Sequence, residues 1–83
     1  MPRYHFHILD GKPIADEHGT ELPDIDIAKA EAVRLAGEVL RHARPSDIWA
    51  LSTWQLVVND GPSPRSGRTY FKLVLSAEDG GAA

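Results

Sequence analysis

His5 and His7 stand two apart in a run of alternating residues, so both rings project from one face of a strand. Imidazoles placed this way could share a divalent metal ion, with His18 and Asp10 or Asp16 completing the set. A structural zinc site calls for four ligands, and no spacing in this chain follows a recognised metal motif, so ordinary packed or exposed histidines are the plainer reading. Asp16, Glu17 and Glu21 around His18 could in turn supply an acid and a base for hydrolysis. The same carboxylates are expected ahead of a helix, where they cap amides and face the positive end of the dipole. Ser52, Ser63, Ser66 and Ser76 lie in or beside loops with no G-x-S-x-G around them, and no nucleophile is indicated. Asp10-Gly11 and Asp60-Gly61 are turn dipeptides, because neither opens a helix from a glycine-rich run. The reading is of a non-enzyme without a cofactor.

Arg65, Arg68 and Lys72 near Tyr70 could contact phosphates, and His5, Gln55 and Tyr70 on one sheet face could stack bases. Against this stand a net charge of -3, a pI of 5.7 and the lack of aromatics interleaved with arginines, so nucleic acid is not the expected partner. Acidic residues gather before Arg34 and basic ones after it, a weak dipolar character. The chain has no cysteine, so neither a disulfide framework nor a thiolate site is available. Its opening residues lack the apolar run of a secretory signal, and no stretch approaches the roughly 20 apolar residues of a membrane span. A cytoplasmic location is the expectation.

The elements that must position these groups follow from periodicity. With 83 residues the chain makes one domain, read as 1–75 with a disordered tail over 76–83. Ile25, Ala28, Ala32, Leu35 or Ala36, Val39 and Ala43 recur at helical spacing, widened by Val33, Ala36 and Leu40, while charged residues take the other side. The spacing predicts an amphipathic helix from Asp24 to Arg44, capped by Asp24 and stopped by Pro45. Arg3–Leu9, Thr53–Asn59 and Thr69–Leu75 alternate as strands, and 12–15 can return as a short edge strand limited by Pro13. Residues 60–68 form a long hairpin loop and 45–52 a connection folded onto the core edge, with Trp49 and Trp54 read as core and core edge rather than partner anchors.

The fold class is therefore α+β: an antiparallel sheet of three to four strands on one helix, in the order β-(β)-α-β-β. Tyr4, Phe6, Trp54, Leu56, Val58, Phe71, Leu73 and Leu75 are expected to face the helix. That parity turns His5, His7, Leu9, Gln55, Val57, Tyr70, Lys72 and Val74 outward, a half-apolar set suited to contact with another molecule.

Pro2-Arg3-Tyr4, Phe6-His7, Asp10-Gly11, Asp16-Glu17 with Gly19, Glu21-Leu22-Pro23-Asp24 and Ala30-Glu31-Ala32 give the pattern P-R-Y-x-F-H, D-G, D-x-x-G-x-E-L-P-D, A-x-A-E-A. The pattern resembles that of a family of short, uncharacterised bacterial proteins over Pro2 to about Leu40. The resemblance implies a fold and a bacterial source and transfers no catalytic residue. The passage from Glu21-Leu22-Pro23-Asp24 into Ala28-Lys29-Ala30-Glu31-Ala32 is also similar to that of HicB-type antitoxins, although their Gly-Cys and Gly-Asp-Thr elements and DNA-binding extension are missing here. What remains is an expected interaction or dimerisation module, acting on its own copy or a protein partner. The alternatives are an antitoxin-like regulator binding RNA or a toxin partner, and a divalent metal binder through His5 and His7, with His18 a further candidate ligand.

Overall fold

The computed structural model describes residues 1–10, 13–51, 53–78 and 80; Gly11, Lys12, Ser52, Asp79 and residues 81–83 lie outside them. Five strands and two helices follow one another as β1 (Arg3–Leu9), β2 (Pro13–Ile14), β3 (Thr20–Glu21), α1 (Ile25–His42), α2 (Pro45–Leu51), β4 (Thr53–Asn59) and β5 (Thr69–Ser76). The sheet is antiparallel in the order β2-β1-β4-β5, with β3 on the same side of β1 as β2. β2 pairs with the far end of β1 at Ile8 and Leu9, and β3 with its start at Arg3 and Tyr4. The middle of that edge is left to something other than a strand.

α1 forms where its periodicity and caps place it. The Asp24 carboxylate accepts the Ile27 amide at 2.9 Å, satisfying one of the orphan donors of the first turn. Ala28, Ala32 and Ala36 are buried against Phe6, Trp54, Leu56 and Val58, with Ile25, Leu35 and Val39 at the margins. Small residues along this stripe let the helix sit close to the sheet. Val33 does not widen the stripe as expected: it is 64 % exposed, because its position turns it off the buried face toward the β5 flank.

Five further details depart from the sequence reading. Pro45 opens α2 instead of only ending α1, since proline is well suited to a first helical turn where no amide donor is required. On α2, Ile48 packs on the core, and its neighbour Trp49, about 100° further round the helix, is left 55 % exposed rather than at the core edge. Thr20 and Glu21 form a strand rather than a lead-in, and Ser76 closes β5 rather than opening the tail. A bulge at Val58/Asn59 shifts the β4–β5 register, so Tyr70 is not outward: its ring lies 4.8 Å from that of Tyr4, on the helix-covered side. Burial pushes the Tyr4 phenol above its ordinary pKa, with Tyr70 and Asp24 adding to the effect.

Replacing Asp24 by Ala removes the cap without touching the core. Urea unfolding should report a loss of about 1 kcal/mol with an unchanged m-value.

Candidate functional site

His5 and His7 come together on the outer face of β1 as their spacing requires, with rings 6.0 Å apart and nearly parallel. They do not face water. His5 is 5 % exposed, and His7 is fully buried. Both rings are directed at one residue, Asp16, which fills the gap between β2 and β3.

The hydrogen-bond directions are fixed by the backbone groups involved. The Asp16 amide lies 3.0 Å from His7 Nδ1 and can only donate, so Nδ1 must be unprotonated. His7 Nε2 then carries the proton and donates to Asn59 Oδ1 at 2.8 Å and the Gly61 carbonyl at 3.1 Å. His5 is the opposite tautomer at the same position, because its Nδ1 meets the Asp16 carbonyl at 2.7 Å and must donate. The two imidazoles thus read the N–H and C=O of Asp16 as a paired strand would. The Asp16 carboxylate completes the arrangement, accepting the Phe6 amide at 3.1 Å through Oδ2 and the Gly19 amide at 3.1 Å through Oδ1.

Glycine is required at position 19. Its φ of +70° is costly for other residues, and an added Cβ would come within 2.9 Å of the His5 ring and 2.8 Å of Arg3 Cγ. Arg3 secures the same loop by donating to the His18 carbonyl at 2.8 Å and to Glu21 at 3.2 Å.

Asn59 is the second hub and is fully buried. Its Oδ1 accepts from His7 and from the Gly61 amide, and its Nδ2 donates to the carbonyls of Ser63 and Ser66 at 2.8 and 3.0 Å. The 60–68 loop is thereby folded back over the outer face, with Ser66 Oγ and Ser63 closing a turn within it.

These contacts settle where the expected site residues lie. His5, His7 and Val57 point outward as the alternation requires, but they are buried and not open for contact, with His5 and His7 held by the 15–19 and 60–68 loops. Leu9 and Gln55 are half-buried, while Lys72 and Val74 are exposed. The metal set does not assemble: both His7 nitrogens are engaged by protein, and His18 is exposed with its carbonyl held by Arg3. Among the described residues no three His, Asp or Glu side chains converge. Asp16, Glu17, Glu21 and His18 form no acid and base group, since the Asp16 carboxylate serves two backbone amides and Glu21 pairs with Arg3. Sequence reasoning missed Asn59, whose signal is its place in outward register with the histidines, directly opposite His5.

Residues 3–63 match a protein family defined as a domain of unknown function, DUF6894. The chain belongs to this family. The match extends past the span of the pattern read from sequence and takes in His5, His7, Asp16, Asn59, Gly61 and Ser63, while β5 lies beyond it. Neither a curated protein nor a solved structure was found to be similar. No helix among the described residues of this DUF6894 chain is long and apolar enough to cross a membrane.

A different surface remains open. Among the described residues β5 pairs with β4 on one side only, and beside its free edge runs a groove of about 280 Å³ lined by Lys29, Ala32 and Val33 of α1 and by Phe71, Lys72 and Leu73 of β5.

Asp16→Ala should lower stability by about 2–4 kcal/mol, since it removes two charge-assisted bonds and strands the Phe6 amide. Nitrogen-15 spectra of the imidazoles should show His7 protonated at Nε2 and His5 at Nδ1 in the folded protein; the reverse assignment would contradict the bonding directions at Asp16.

Proposed function

We propose that this chain is a small non-enzymatic interaction module, working in the bacterial cytoplasm, that holds an extended segment of protein along the free edge of β5. The observation carrying this reading is the contrast between the two edges of the sheet. The β1 edge is occupied by β2, by β3 and by Asp16 between them, and Pro13 removes a donor from what remains. The β5 edge offers eight residues, Thr69–Ser76, without proline and with one charge, Lys72. An added strand would take its backbone bonds from β5 and lay alternate side chains into the groove beside Val33, Phe71 and Leu73.

An antitoxin-like regulator would use the same surface on a different protein, so a second species retained through purification from the native host would favour that variant of the reading. Metal binding through His5 and His7 draws no support from a site whose His7 lone pair already accepts the Asp16 amide.

A synthetic peptide alternating valine and glutamate, with valines for the groove and glutamates to oppose the outward Lys72, tests the edge directly. In a monomeric sample its addition should shift the amide resonances of residues 69–76 and of Val33 and slow exchange along β5. Val33→Lys should weaken binding about tenfold, equivalent to about 1.4 kcal/mol. Unmoved resonances at millimolar peptide, with the chain shown monomeric by light scattering, would overturn the reading.

A further inference from the structure

We infer that the occupant of the β5 edge is a second copy of this chain, joined β5 to β5 antiparallel about a two-fold axis through Leu73. The inference rests on the reading of that edge as a binding surface and adds the partner and the register.

Symmetry restricts the choice. A two-fold axis normal to the sheet keeps helix-side residues opposite helix-side residues, so the axis must pass through a residue and not between two. An axis through Lys72 sets that ammonium directly against its copy, and like charges directly opposite are destabilising. An axis through Val74 sets Phe71 opposite Ala77, beyond the end of the strand, and so takes it out of the pairing. Through Leu73 the regular pairing runs over 71–75, short of the bulged Tyr70, with Phe71 opposite Leu75 of the copy, Leu73 opposite itself and Lys72 opposite Val74.

Side-chain chemistry favours this register at each level. On the helix side the three pairs are wholly apolar, and their residues are only partly buried in the single chain. On the outer side Val74, 55 % exposed, is covered by the aliphatic stem of Lys72. Beyond the strand ends the antiparallel arrangement brings Arg68 to the same end of the junction as Glu78 of the copy, twice over by symmetry, and both are exposed in the single chain. The axis also brings the Val33 flank of each α1 over the junction, closing the groove from above.

The chain's lack of cysteine makes the register directly testable. Lys72→Cys and Val74→Cys change exposed side chains, and in the inferred pairing these two positions lie opposite one another, at the 4.5–5.5 Å Cα separation of antiparallel partners that a disulfide can bridge. Mild oxidation of an equimolar mixture should give a disulfide between the two variants well above that from either alone, and Leu73→Cys should couple to itself. Light scattering of the unmodified chain should report a dimer, and Val74→Lys should raise its dissociation constant at least tenfold. A dimer whose mixed variants fail to couple, or a chain monomeric at 200 µM (about the upper end of ordinary solution work for a weak pair), would overturn the inference. In the monomeric case the valine-glutamate peptide separates the outcomes. Shifts along β5 would retain the binding edge with a different occupant, whereas unmoved resonances would remove both.

Discussion

The structure depends on one substitution of side chains for a strand. Between β2 and β3 the edge of β1 that faces away from β4 has no neighbouring strand among the described residues, and an unpaired amide there would cost about 1–3 kcal/mol once removed from water. Asp16 supplies what is missing: its carboxylate takes the Phe6 amide, and its own N–H and C=O are taken by His7 and His5. An apolar residue at this position would leave the Phe6 amide bare. A residue other than histidine at 5 or 7 would have to offer a donor in one case and an acceptor in the other at the same reach. Imidazole does both, because its two nitrogens can exchange roles between tautomers.

From this contact the closure of the outer face follows. With Nδ1 of His7 committed as an acceptor, its Nε2–H must find partners inside the protein, and Asn59 with the Gly61 carbonyl are within reach only if the 60–68 loop folds back. Asn59 makes that possible by using all of its amide, two acceptor contacts on oxygen and two donor contacts on nitrogen. A chain of satisfied polar groups thus runs from the 15–19 loop through β1 to the β4–β5 hairpin. Such networks specify a single arrangement because a half-satisfied one is costly. The core has one exception: among the described residues the buried Trp54 indole N–H meets no acceptor.

The helix, its cap and the three long strands were legible because each rests on local signals: three-and-four spacing over Ile25–Val39, Asp24 before it, and period-two alternation in β1, β4 and β5. What escaped depended on contacts distant in sequence. His7 and Asn59 are 52 positions apart, and strand alternation says which way each points but not that a loop will cover them. Tyr70 was misplaced because a bulge adds one residue to a strand whose alternation gives no sign of it. Val33 was placed in the apolar stripe on hydrophobicity alone, whereas the alanines at 28, 32 and 36 define a buried stripe too narrow to include it. Pro45 carries two meanings, end and beginning, and only the tertiary position of Ile48 decides between them.

The same constraint explains why binding is sought at β5 and not at the histidines. Paired imidazoles invite a ligand when their lone pairs are free; here one is spent on a backbone amide and the rings are under cover, so a ligand would first have to dismantle the edge of β1. β5 requires no such rearrangement, since its outer backbone groups and the flanking Phe71, Leu73 and Val33 already stand toward solvent or are only partly covered. Sheets commonly blunt both edges against association. This one closes the β1 edge with a proline, two short strands and a four-bond aspartate, and leaves eight residues without a proline on the other. That asymmetry follows if β5 is an edge meant to be met.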